Sequence, residues 1–148
     1  MIRPRIGLYA VYEPPEEGWQ DYEEKLNRIA LHLQAQGLEV LQASEAVRDP
    51  RTCDQVAAWM QSNGPDLLHP VIITWSFDHY TVRIQQLTGL PVAIRSVPGI
   101  RTGSIVGGQQ LQSVLYDLEV EHRLFYGPPD SAEAAREVAV YALSLIHI

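Results

Sequence analysis

Short apolar runs alternate with amphipathic helical patterns five times along the 148 residues of the chain. After the first run, Leu26, Ile29 and Leu33 recur at spacings of three and four, which places them on one face of a helix. Strands are predicted at residues 5–11, 38–43, 67–74, 91–95 and 121–126, each followed by a helix. Strands that alternate with helices of this length predict βαβ units and a parallel sheet.

Residues that start and end helices support this division. Gly37 is expected just past the first helix, because glycine adopts the left-handed conformation without strain. Asp49 before Pro50 predicts the start of the second helix, and Asp130 with Glu133 predicts a capping box at the last. The fourth helix is expected to begin at Ser104 and to face inward with Leu111, Val114, Leu115 and Leu118.

The distribution of apolar residues predicts the order of the strands. The first and third strands have the most continuous apolar runs, as in Val71-Ile72-Ile73, and should be central and covered on both faces. The second and fifth strands contain charged residues, as edge strands do. We therefore predict an α/β fold: a three-layer αβα sandwich around a five-stranded parallel sheet with the flavodoxin-like order 2-1-3-4-5.

The charge of the chain limits the classes of partner that it is expected to bind, and its cysteine content indicates the cellular compartment. Eighteen acidic and 11 basic residues give a net charge of −7, which disfavours nucleic acid as a partner. No apolar run approaches the roughly 20 residues that span a bilayer, so no membrane association is expected. The single cysteine, Cys53, is expected to be an inert core residue and indicates a reducing, cytoplasmic environment.

The predicted strand order places a ligand crevice at the carboxyl ends of the first and third strands, where the order reverses. Three loops should face it, at residues 12–18, 75–79 and 96–104. The first loop has no glycine-rich phosphate motif and contains Glu13, Glu16 and Glu17, which would repel phosphate. NAD and ATP are therefore not expected as cofactors.

The second of these loops is rich in aromatic residues. Trp75 and Phe77 follow a central strand, where a Trp face can stack on the C–H face of a sugar or on a partner chain. The alternative is that both rings only cover the top of the sheet and that Asp78 caps the next helix. Asp78 and His79 are adjacent, but metal sites usually take three or four protein ligands, so His79 is interpreted as a surface residue at a helix start.

The third loop offers free backbone N–H groups at the start of the fourth helix. Arg101 and Ser104 lie there, where anions or hydroxyl oxygens are favoured. The alternative is that Ser104 caps the helix, while Gly107 and Gly108 allow it to pack closely on the sheet.

The chain resembles the N-terminal domain of the L-fucose and L-arabinose isomerase superfamily. Four segments, in order and spacing, carry this resemblance, which extends nearly to Ala142: Arg5-Ile6-Gly7-Leu8, Ile73-Thr74-Trp75-Ser76, Pro91-Val92-Ala93-Ile94, and the stretch from Thr102-Gly103-Ser104 to Phe125-Tyr126-Gly127.

The resemblance implies a three-domain aldose–ketose isomerase in which a divalent cation, usually manganese, polarises the sugar during proton transfer through an enediol. The metal ligands of that family come from later domains. The first domain lends residues to a neighbouring subunit's site, including a tryptophan that Trp75 matches. The family's arginine after the first strand is replaced by the three glutamates, and its tryptophan after the fourth strand by Arg95.

These implications give a specific set of expectations. The predicted substrate-binding residues are Trp75, Ser76, Arg95, Arg101 and Ser104, with no catalytic or metal-binding residue in this chain. The predicted function is that of a substrate-shielding, oligomerising domain, inactive alone, in a homo-oligomer that binds a monosaccharide at a subunit interface. The alternative is a stand-alone flavodoxin-like small-molecule-binding or regulatory module.

The last six residues suggest that the chain is incomplete. Leu143-Ser144-Leu145-Ile146-His147-Ile148 can be translated from CTG TCT CTT ATA CAC ATC, the end sequence used by a common transposase-based sequencing-library kit. We therefore expect residues 1–142 to be a Rossmann-like N-terminal domain, residues 143–148 to be translated adapter, and the C-terminal domains to be missing.

Overall fold

The computed structural model describes residues 2–99 and 101–146 as five strands and five helices in strict alternation. The strands are β1 (Arg5–Val11), β2 (Glu39–Gln42), β3 (Leu67–Ile72), β4 (Val92–Ser96) and β5 (His122–Tyr126). The helices are α1 (Tyr22–Ala35), α2 (Pro50–Asn63), α3 (His79–Thr88), α4 (Ser104–Asp117) and α5 (Ala132–Ile146).

All neighbouring strands pair in parallel, in the order β2-β1-β3-β4-β5. This confirms the predicted fold class and strand order. Every residue of β3 is buried, whereas β2 and β5 at the edges are partly exposed. The continuous apolar runs therefore lie in the centre of the sheet, where both faces are covered.

Two apolar cores lie on opposite faces of the sheet, because successive side chains of a strand point to opposite sides. Ile6, Leu8 and Ala10 of β1 pack beneath α1 and α5. Tyr9 and Val11 of the same strand pack beneath α2, α3 and α4. The result is the predicted three-layer sandwich.

The predicted N-cap residue is confirmed for α2 and is wrong for α5. Asp49 caps α2 as expected, since its carboxylate accepts the Thr52 N–H at 2.7 Å in a capping box. The predicted cap of α5 at Asp130 is wrong by one residue. Ser131 holds that position, and its Oγ accepts the Ala134 N–H at 3.0 Å.

One predicted core residue of α4 is also wrong. Leu111 and Leu115 are buried as expected, but Leu118 is 48% exposed. The helix ends at Asp117, so Leu118 lies past its last turn and no longer follows the helical face.

The described part of the chain has no helix long and apolar enough to cross a membrane. Residues 143–146 continue α5. His147 and Ile148 lie outside the described residues, and the adapter origin of residues 143–148 remains a prediction.

Candidate functional site

Three loops meet at the carboxyl ends of β1, β3 and β4, as the strand order requires. The Glu13 N–H donates to Thr74 Oγ1 at 3.0 Å and joins the loop after β1 to the loop after β3. The Trp75 N–H donates to the Thr102 carbonyl at 2.7 Å and joins the loop after β3 to the loop before α4. These bonds fix the backbone on either side of the crevice.

An aromatic patch, formed by Trp75, Phe77 and His79, lies at this edge of the sheet. The Trp75 and Phe77 rings meet edge to face, with centroids 5.1 Å apart and an angle of 66°. His79 continues the patch at 5.4 Å from Phe77. Trp75 is half-buried, but Phe77 is 43% exposed, so an apolar ring faces solvent beside the crevice.

Gln110 of α4 holds the Trp75 indole in place. The indole Nε1–H donates to Gln110 Oε1 at 3.1 Å, and Gln110 Nε2 donates to Asp78 Oδ2 at 3.1 Å. Asp78 occupies the N-cap position of α3 but makes no capping bond with its side chain. Its carboxylate instead accepts the second hydrogen bond of a chain that orients the indole, so the alternative in which the Asp78 side chain caps α3 is wrong.

Glycine lets α4 approach Trp75. Gly103 precedes the helix with φ of +69°, and a Cβ there would lie 3.0 Å from Trp75 Cβ. A Cβ at Gly107 would lie 3.3 Å from Trp75 Cα. The close packing that Gly107 was expected to allow is therefore present, and α4 lies directly against the loop after β3.

Ser104 is a structural link between β3 and β4. Its Oγ accepts the Val97 N–H at 3.0 Å and donates to the Ile72 carbonyl, so a hydroxyl is inserted where the two strands part. Ser104 is the first residue of α4 and is fully buried, while Gly103 holds the N-cap position. Its hydroxyl is occupied by backbone groups, and ligand contact by Ser104 remains a prediction.

Arg95 is also buried, with an exposed fraction of 1%. Its Nη2 donates to the Pro128 carbonyl at 2.7 Å, and its Nε donates to the Gly127 carbonyl. Burial lowers the pKa of Arg95 to about 10, against a smaller raising effect of Glu137. The guanidinium holds the loop after β5 in place through these two hydrogen bonds. A ligand could reach the guanidinium only if that loop moved.

Ser76 and Arg101 differ in access. Ser76 is only 4% exposed. Arg101 is exposed in the turn before α4. Of the five predicted substrate-binding residues, only Trp75 and Arg101 therefore expose appreciable surface to solvent.

The loop after β1 is ordered by aromatic stacking. The Tyr12 and Trp19 rings stack at 4.6 Å with an angle of 3°, and Trp19 Nε1–H donates to the Pro14 carbonyl at 3.1 Å. Between these residues, Glu13 Oε2 is buried and has no hydrogen-bond partner within the described chain. Partial burial raises the pKa of Glu13, Glu16 raises it further, and His79 lowers it.

The described residues do not form a manganese site. Within residues 2–99 and 101–146, no three His, Cys, Asp or Glu side chains are grouped so that they could hold a metal ion.

A groove lies at the opposite edge of the sheet. It has a volume of about 660 Å³ and is lined by residues that include Asp66, Gln85, Pro91 and Glu121. These residues lie at the amino ends of the strands, whereas ligands of open parallel sheets bind at the carboxyl ends. We therefore place the candidate site at the aromatic patch.

Comparison with known proteins supports the fold and leaves the function open. The chain matches no protein family and no curated protein. Among solved structures, it is similar to an oxidoreductase from Corynebacterium diphtheriae, with a TM-score of 0.52 and 12% identity over 99% of this chain and 97% of that chain. At this identity the likeness shows the fold alone.

Proposed function

We propose that this chain is the N-terminal, substrate-shielding and oligomerising domain of a metal-dependent aldose–ketose isomerase of the L-fucose and L-arabinose isomerase type. One of the segments on which the resemblance rests, Ile73-Thr74-Trp75-Ser76, lies at the carboxyl end of β3. In this proposal the domain has no activity of its own. It covers a monosaccharide bound at a subunit interface of a cytoplasmic homo-oligomer, and the missing C-terminal domains supply the divalent cation.

The observation that carries the proposal is the Trp75–Phe77 pair. An indole held by Gln110 and a phenyl ring that is 43% exposed place adjoining aromatic surface at the carboxyl edge of the sheet, where open parallel sheets bind their ligands. The C–H face of a pyranose is apolar and can stack on the face of such a ring, while its hydroxyl groups remain free to form hydrogen bonds.

The charges near the patch favour a neutral ligand. Glu13 and Glu16 lie in the loop after β1, at the position where the fucose isomerases have an arginine. Carboxylates accept hydrogen bonds from sugar hydroxyls but repel phosphate. We therefore propose an unphosphorylated aldose, different from the sugar that an arginine at this position would contact.

In this proposal, four residues of the domain have separate roles. Trp75 orients and shields the sugar, and Arg101 contributes a hydrogen-bond donor at the rim. Ser104 and Arg95 hold the strand ends and the loop after β5 through backbone carbonyls, and so position the crevice indirectly. In the proposed parent enzyme, proton transfer and metal binding belong to the later domains.

The proposal is tested by reading the native gene beyond the codon for Ala142 and assaying the full-length product on a panel of unphosphorylated aldoses. We expect further coding sequence with Glu or Asp and His codons for metal ligands, manganese-dependent isomerisation by the full-length protein, and no turnover by the 148-residue chain. A native stop codon after Ile148, or turnover by the short chain, would contradict it.

A stand-alone small-molecule-binding or regulatory module is the second candidate. It is favoured by one observation: the similar oxidoreductase structure is matched over 97% of its own length, so a chain of comparable extent carries this fold. A flavin-binding version would require a phosphate-binding loop after β1, where this chain has Glu13-Pro14-Pro15-Glu16. A visible flavin spectrum in the purified chain would favour the module, and a colourless protein would count against that version.

A further inference from the structure

The central strand β3 contains a proline, which cannot donate a backbone hydrogen bond. The Leu68 N–H donates to the Pro91 carbonyl of β4 at 3.0 Å. Since alternate residues of a strand face the same neighbour, residue 70 should donate to the Ala93 carbonyl. Pro70 has no N–H for this purpose, and a proline is rare inside a central strand for this reason.

The ladder between β3 and β4 is interrupted at this point. The paired residues run from Leu68 with Val92 directly to Val71 with Arg95, so the two intervening pairs are missing. A buried carbonyl left without a donor would cost stability, because it has given up its hydrogen bonds to water.

The neighbouring side chain supplies the missing donor. His69 Nδ1 lies 2.6 Å from the Ala93 carbonyl oxygen. A carbonyl can only accept, so the ring must be protonated at Nδ1. Its other nitrogen, Nε2, then carries a lone pair, and it is buried without a hydrogen-bond partner within the described residues.

The surroundings of His69 are apolar on nearly every side. It is fully buried on the face covered by α1 and α5. The buried residues of both helices are apolar except Tyr141, whose hydroxyl donates to Glu121 at 3.0 Å. From the sheet, Leu8 of β1 pairs with His69, and the charged group of β4 on this face is Arg95.

We propose that His69 and Pro70 make the pairing of β3 with β4 sensitive to acid. The neutral His69 imidazole donates the hydrogen bond that Pro70 cannot donate. Protonation of Nε2 in an apolar core weakens the pairing of the two strands. A protonated Nε2 would need an acceptor, and this side of the ring offers none within the described residues. The nearby Arg95 guanidinium would repel the new charge.

The direction in which pH changes the stability follows from the pKa of His69 in the folded and in the unfolded chain. Burial lowers the pKa of His69 from 6.5 to about 3, helped by Arg95 and opposed by the bond to Ala93. The unfolded chain therefore takes up the proton first. The stabilisation is complete above pH 6.5, and between pH 6.5 and about 3 this one group raises the unfolding equilibrium constant tenfold per pH unit.

The test compares acid unfolding of the whole chain with that of His69→Asn, followed by far-UV circular dichroism. Asparagine keeps an N–H donor near the Nδ1 position and does not titrate in this range. We expect the unfolding midpoint of His69→Asn to move to lower pH by about one unit. His32→Gln is the matched control, because His32 lies at the partly exposed end of α1, and its midpoint should stay unchanged.

A second measurement needs no variant. Nitrogen-15 NMR of the imidazole rings should show His69 protonated at Nδ1 only and unchanged from pH 8 to 5. Equal acid midpoints for the wild type and a folded His69→Asn would overturn the proposal. So would a His69 ring that titrates near pH 6.5 in the folded chain.

Discussion

The Ser104 hydroxyl should contribute more to stability than to binding, and Ser104→Ala separates the two roles. The substitution removes one acceptor, for the Val97 N–H at 3.0 Å, and one donor, for the Ile72 carbonyl. Both partners are buried backbone groups at the point where β3 and β4 part. Alanine can replace neither bond.

The magnitude follows from the two groups left unsatisfied. Each buried polar group without a partner costs about 1–3 kcal/mol, so the two groups together should lower the free energy of unfolding of Ser104→Ala by about 2–6 kcal/mol. Relaxation of the strand ends and entry of water would bring the loss towards the lower value. Against a typical domain stability of about 5–15 kcal/mol, this is a large fraction.

Urea unfolding followed by circular dichroism measures the effect directly. Ser113→Ala is the matched control, because Ser113 is exposed on the same helix, and it should change the free energy of unfolding by less than about 0.5 kcal/mol. A Ser104→Ala variant as stable as Ser113→Ala would refute the view that this hydroxyl completes the sheet. Retained stability together with lost sugar affinity would favour direct ligand contact instead.

Two further predictions concern the packing around α2 and α4. Burial raises the pKa of the Cys53 thiol to about 11, and the thiol donates to the Tyr80 carbonyl, so Cys53 should react with a disulfide reagent at pH 8 only in urea. Rapid labelling of the folded chain would contradict this. Gly108→Ala would place a Cβ against Ser96 Oγ and should cost about 1–3 kcal/mol, measured as a lower melting temperature. An unchanged melting temperature would show that α4 can move away from β4.

The sheet was predictable because its causes are local in the sequence. Continuous apolar runs such as Val71-Ile72-Ile73 can be accommodated only where both faces are covered, and this places β3 in the centre. The start of α2 was also predictable, because the Asp49 side chain accepts a backbone N–H only three residues later and Pro50 is suited to the first helical position. At α5, Asp130 and Ser131 are both suitable cap residues, and residue type alone does not distinguish them.

The candidate site was predictable in position but not in detail. Strand order fixed the crevice, and Trp75 lies there. The bond from Trp75 to Gln110 spans 35 residues, and nothing in the spacing of either residue indicates it. Arg95 was predicted to contact the ligand because it replaces the family's tryptophan after the fourth strand, yet its guanidinium is buried and donates to the carbonyls of Gly127 and Pro128. Side-chain direction at a strand end depends on such distant partners.

The most direct test of the account compares two tryptophans in the full-length protein. Trp75 lies in the aromatic patch, whereas Trp59 packs against the core beneath α2. We expect Trp75→Ala to lower kcat/KM for the cognate aldose by about 3- to 10-fold or more, the loss of one stacking contact, and Trp59→Phe to leave it unchanged. Equal kinetics for wild type and Trp75→Ala would remove the patch from the site and contradict the proposed function.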